Sequence, residues 1–356
     1  MLKRFLGLNT LLVFIPIALI GRIAGINDAL LFLFSALAIV PLAGLIGSAT
    51  ETVAERTGPQ IGGLLNATLG NAAELIITVL ALQKGLPELV RASIVGSVIG
   101  NILLVMGASM VIGGLKHGTQ KFNPRTASIN ATLMILAFVT IAIPSFFDPA
   151  VLNGAKTPQS IQRETIFTVG IAVVMIVLYV LSIIFTLRTK PPASGDDAGG
   201  AVQGPAHGGT GDPITVTPQM LRMAILTLAL ATLTIVVMSE LLVGTVEHVV
   251  TELGLSELFV GIIVVPIIGN VAEHFVAIQV ALKNRMDLSV GISIGSSLQI
   301  GLFVTPVLVF ISLLFPTPLL LVFNRYELIA LAIASAVAML VSQDGESNWL
   351  EGAELL

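Results

Sequence analysis

Two copies of one short pattern hold the residues best suited to chemistry. Gly70-Asn71-Ala72-Ala73-Glu74 recurs as Gly269-Asn270-Val271-Ala272-Glu273 at an offset of 199 residues. The same offset pairs Lys84 with Lys283 and Gly96-Ser97 with Gly295-Ser296. Glu74 is the only charge between Ile61 and Leu82, and Glu273 is the only carboxylate between Phe259 and Leu282. If these stretches cross a bilayer, each carboxylate costs about 2.5–3.5 kcal/mol to hold at mid-depth, so two of them call for a function. Facing one another, they would offer two negative charges to one divalent cation. The Gly-Asn before each is expected to loosen the helix, so that backbone carbonyls and the amide oxygens of Asn71 and Asn270 complete an oxygen shell. An adaptable all-oxygen set suits calcium better than magnesium, which demands strict octahedral geometry. Without metal, desolvation and mutual repulsion favour the protonated pair. Protons and a divalent ion would therefore compete for one site, the core requirement of an antiporter.

Around the pair, Ser97, Asn101, Ser296 and Gln299 fall on the spans that follow each motif, where hydroxyl and amide groups can line a site or simply join helices. His274 follows the second glutamate and has no counterpart, since Leu75 holds the matching place; it reads as a proton relay or as a packed, hydrogen-bonded ring. Glu51 and Glu55 lie near the cytoplasmic end of the second span, and Glu240 and Glu247 toward the outer part of the seventh. They are candidate gate residues, although helix-end carboxylates also reach water without any such role. Gly291-Ile292-Ser293-Ile294-Gly295 matches a hydrolase nucleophile pattern but sits in an apolar helix with no preceding strand. Glu247-His248 and Glu273-His274 lack the second imidazole of a metalloprotease pair. The chain reads as a transporter and not as an enzyme, with no catalytic residues and no cofactor.

Composition shows what must position these groups. Hydrophobic side chains make up 55% of 356 residues and charged ones 11%, and the uncharged runs Ala29 to Thr50, Ala92 to Leu115 and Thr165 to Leu187 are each long enough to cross a bilayer as a helix. Charges and Pro/Gly clusters delimit spans near 5–24, 29–54, 60–83, 88–115, 126–147 and 164–187, then 219–250, 257–282, 288–315 and 326–342. An eleventh helix begins after Trp349 and is cut short at Leu356. Residues 1–28 thus form a leading helix, 29–187 a first repeat, 188–218 a flexible Gly-rich linker and 219–356 a second, incomplete repeat. The two motifs lie in the third and eighth spans, five positions apart, so the copies run in opposite senses. Inverted repeats with a midplane site between them characterise secondary transporters. Alternate loops carry eleven and six of the 17 Lys and Arg residues, which places the N-terminus and the linker in the cytoplasm. A net charge of −4 with no basic patch excludes nucleic acid as a partner, and the absence of Cys excludes disulfides and thiolate metal sites.

With both Gly-Asn-x-x-Glu copies, Gly58-Pro59-Gln60-Ile61-Gly62-Gly63-Leu64-Leu65-Asn66-Ala67 and Val264-Val265-Pro266-Ile267-Ile268-Gly269-Asn270, the sequence resembles the calcium/proton exchanger family of the calcium/cation antiporter superfamily. The resemblance runs from about Leu42 to Leu356. It implies an all-α polytopic membrane protein of eleven transmembrane helices, one leading helix and two inverted sets of five. It implies that Glu74 and Glu273 coordinate calcium as the transported substrate and exchange it for protons, with Asn71, Asn270, Ser97 and Ser296 nearby. The short N-terminal tail and Gly-rich loop differ from eukaryotic members and point to a prokaryotic cell membrane. A sodium/calcium exchanger of the same superfamily is the alternative; Ala73 and Ala272 stand where sodium-coupled relatives typically place Pro.

Overall fold

The computed structural model describes residues 8–57, 62, 65, 68–147, 157–188 and 216–356. Much of the 58–67 flank and most of the expected linker lie outside these residues. The described chain is almost wholly helical: α1 (Thr10–Ala24), α2 (Asp28–Thr57), α3 (Ala72–Gln83), α4 (Pro87–His117), α5 (Pro124–Phe146), α6 (Pro158–Arg188), α7 (Pro218–Leu253), α8 (Glu257–Ala281), α9 (Met286–Ser312), α10 (Arg325–Val341) and α11 (Trp349–Leu355). Seven of these, α2 and α4 to α9, are long and apolar enough to cross a membrane. The protein is an all-α, multi-pass membrane protein, and most expected spans coincide with a helix within about six residues, whereas α3, in the expected span 60–83, begins only at Ala72, twelve residues late, after a turn at Gly70-Asn71. One sheet among the described residues pairs β1 (Gln120–Lys121) antiparallel with β2 (Glu346–Ser347), Gln120 opposite Ser347.

Local signals set the helix ends. The Thr217 hydroxyl and the Asn123 amide oxygen accept backbone N–H bonds ahead of Pro218 and Pro124, which suit the first helical position because they have no N–H to leave unpaired. Gly25 and Gly254 close α1 and α7 at φ 69° and 65°, a left-handed conformation that costs glycine little.

The chain divides into two compact units, residues 1–93 with 209–273, and residues 94–208 with 274–356. Each draws on both sequence halves, because a repeat follows chain order whereas a compact unit follows packing. In the first unit α2 packs along α7, which also meets α3, while Phe14 stacks on Phe34 at 5.5 Å. In the second, α9 packs on α5 and α6, with Phe303 5.2 Å from Tyr179, and α10 packs on α5. Only seven residues long, α11 lies against α4 in the same unit, where Gly352 meets the backbone of Gly107 and Val111 so closely that any side chain would collide.

Among the described residues three widened, π-helical turns interrupt the regular helices: Gly100–Met106 in α4, Val260–Val264 in α8 and Ile300–Val304 in α9. The first and third coincide at the 199-residue offset. Those in α8 and α9 precede Pro266 and Pro306 by one turn; widening the turn relieves the clash between the proline ring and the carbonyl four residues earlier.

A candidate ion-binding site at the paired motifs

Glu74 and Glu273 both belong to the first unit, and both are buried, at 1% and 4% exposure. A Cβ placed on Gly269 would lie 3.5 Å from the Glu74 Cβ and 3.7 Å from its Cα, so the α8 backbone runs directly against Glu74. Gly269 and Glu273 are four residues apart and therefore share one face of α8. The second motif's carboxylate thus stands one helical turn from the point where the first motif touches it. Asn71 and Asn270 are also buried, at 1% and 2% exposure. Among the described residues no three His, Cys, Asp or Glu side chains gather as a metal cluster.

The two copies differ in backbone. The expected loosening is present at the first, where Gly70-Asn71 is a turn and Asn71, at φ −95° and ψ 16°, precedes the first residue of α3. It is absent at the second: α8 runs unbroken through Gly269-Asn270. There the irregularity is displaced to Val260–Val264, where Pro266 requires it, and the Asn270 amide donates to the Pro266 carbonyl at 3.2 Å.

The Asn-x-x-Glu spacing has a second meaning that sequence reasoning missed. Asn324-x-x-Glu327 and Asn348-x-x-Glu351 form reciprocal capping boxes at the starts of α10 and α11. Asn71-x-x-Glu74 has the same spacing at the start of α3, yet its Asn makes no side-chain cap bond. The local pattern suits a cap, and the tertiary setting withholds it.

In the second unit Ser97, Asn101, Ser296 and Gln299 are each 1% exposed, on α4 and α9. Asn101 lies in one π turn and Gln299 immediately precedes another. The Asn101 amide oxygen is 3.2 Å from Nε2 of His274, so the half-buried imidazole is partnered rather than merely packed. The stripe Ser289, Ser293, Ser297 on α9 is also buried, with the Ser297 hydroxyl donating to the Ser293 carbonyl at 3.0 Å. Its i, i+4 spacing was visible in the sequence.

The four gate candidates all lie on the first unit. Glu51 is half-buried and Glu55 exposed near the end of α2, and Glu240 and Glu247 are exposed on α7. At the other end of α2, Asp28 lies 3.5 Å from His248, and Asn27 donates to Glu252 at 3.4 Å.

The sodium/calcium exchanger protein family matches residues 28–188 and 223–356. A Ca2+/H+ antiporter of Aphanothece halophytica is 43% identical over 97% of this chain and 92% of its own, and the Ca2+/H+ antiporter ChaA of Bacillus subtilis is 42% identical over 96% and 93%. The chain belongs to the calcium/proton exchanger family. The solved structure of native YfkE is similar to this exchanger with a TM-score of 0.81 at 39% identity, covering 99% of this chain and 96% of that one.

Proposed function

We propose that this exchanger carries calcium out of the cytoplasm against protons by alternating access, with Glu74 and Glu273 binding either one calcium or protons. The contact of the first motif's glutamate with the second motif's Gly269 is the observation that carries the reading. The Ca2+/H+ antiporters among its relatives support the choice of ions.

Charge balance explains why such a pair would exchange rather than leak. Two ionised carboxylates around one divalent ion are neutral, and two protonated carboxyls are neutral as well. The empty, ionised pair carries two buried negative charges and costs about 5–7 kcal/mol at mid-membrane. At 1.4 kcal/mol per decade, reorientation of the empty site is suppressed about 10⁴- to 10⁵-fold, and transport of one ion becomes tied to return of the other. Asn71 and Asn270 supply neutral oxygens to the cation. His274, held by Asn101, relays protons on and off the pair, while Ser97, Asn101, Ser296 and Gln299 are pathway-lining groups. Glu51, Glu55, Glu240 and Glu247 attract cations at the mouths. In this reading the sequence halves are inverted repeats, with the N-terminus and linker cytoplasmic.

Calcium uptake into sealed vesicles with a pH gradient and no sodium tests the proposal. Uptake accompanied by proton movement in the opposite direction supports it. Uptake driven by a sodium gradient, with none from the pH gradient alone, overturns proton coupling in favour of sodium/calcium exchange.

A further inference from the structure

A cavity of about 350 Å³ lies in the second unit where α5 ends and α6 begins, within the size range of small-ligand sites. Phe147, Arg163, Glu164, Phe167 and Thr168 line it. Phe147 and Phe167 form an edge-to-face pair, 5.5 Å between ring centres, and are 62% and 39% exposed. Arg163 is exposed, whereas Glu164 and Thr168 are 9% and 1% exposed. The Thr168 hydroxyl has no hydrogen-bond partner among the described residues. Thr165 in the same helix donates to the Ile161 carbonyl at 2.8 Å, the usual resort of a helical threonine, so Thr168 departs from its neighbour's pattern in the wall of a cavity.

Depth narrows the ligand. The 31 residues of α6 rise about 46 Å, some 16 Å more than a hydrocarbon core, so each end projects by about 8 Å. Glu164, six residues into the helix, therefore lies about at the boundary between headgroups and acyl chains, with Thr168 one turn deeper. A guanidinium at the rim matches a phosphate bidentately. An interior carboxylate accepts several donors at once, and a hydroxyl adds another acceptor, a set that matches a primary ammonium. The paired aromatic rings match an acyl chain.

We propose that this cavity binds the phosphoethanolamine headgroup of a membrane phospholipid, Arg163 taking the phosphate and Glu164 with Thr168 the ammonium. The test uses the full-length chain, delipidated in detergent and titrated with phosphatidylethanolamine, phosphatidylcholine or phosphatidylglycerol while native mass spectrometry reads occupancy. The ethanolamine lipid is expected to bind at least about tenfold more tightly than the choline lipid, whose trimethylated nitrogen cannot donate. Glu164→Gln should erase that preference and Arg163→Gln should weaken all three lipids alike. If Glu164→Gln fails to fold, Thr168→Val must reduce the preference in its place. Equal binding of ethanolamine and choline lipids, tighter binding of phosphatidylglycerol, or an unchanged preference in these variants overturns the proposal. Displacement of the lipid by equimolar soluble phosphoethanolamine also overturns it, assigning the site to a water-soluble ligand.

Discussion

Replacing Glu74 or Glu273 by Gln removes one negative charge and one titratable group while preserving side-chain length and shape. The two carboxylates are 1% and 4% exposed, so solvent screens the lost charge poorly in either place. Removing one partner from a buried, charge-balanced set costs about 3–5 kcal/mol, which at 1.4 kcal/mol per decade lowers calcium affinity by about two to three and a half decades. Each variant is therefore expected to abolish uptake at calcium concentrations that saturate the unaltered protein. Glu346→Gln is the matched control: Glu346 is 3.3 Å from Lys121, the side chains are 48% and 81% exposed, and such a surface pair contributes about 1 kcal/mol or less. The assay is isotopic calcium uptake into sealed vesicles under a fixed pH gradient without sodium, with expression and thermal unfolding checked for each variant. A Glu74→Gln or Glu273→Gln protein that folds and transports within tenfold of the unaltered chain would refute the paired-carboxylate site.

Gly261→Ala is expected to destabilise the first unit by about 1–3 kcal/mol, because a Cβ there meets the Ala92 side chain and comes within 2.9 Å of the Leu89 carbonyl. Gly269→Ala gains only a 3.5 Å contact with Glu74 and should unfold near the unaltered temperature while changing calcium affinity; equal losses of Tm in the two variants contradict this packing. His274→Ala should retain transport but shift its pH profile, and Asn101→Leu should shift it in the same sense by releasing the ring; unchanged profiles in both reduce the 3.2 Å pair to packing. Reporters fused at Gly204 and Gly154 should read cytoplasmic and external respectively, and the opposite labelling reverses the orientation.

Apolar run length was enough to specify the membrane class and most helix limits, though not the late start of α3 at Ala72, and the Gly-Asn-x-x-Glu repeat with the isolation of each glutamate singled out the two carboxylates of the proposal. These properties are local: a run of about twenty apolar residues has few alternatives to a spanning helix, and its one charge is visible by its rarity. The reading of Gly-Asn as a helix loosener held at Asn71 and failed at Asn270, because Pro266 and the π turn at Val260–Val264 had already absorbed the irregularity. Likewise, one spacing served as a capping box at Asn324 and Asn348 and not at Asn71. Which contacts a side chain makes depends on neighbours supplied by distant segments. The meeting of Glu74 with Gly269, the Asn101–His274 pair and the cavity lined by Arg163 and Glu164 arise from helix crossings that join distant segments. Sequence periodicity shows which face of a helix is apolar, but only tertiary packing decides what that face meets.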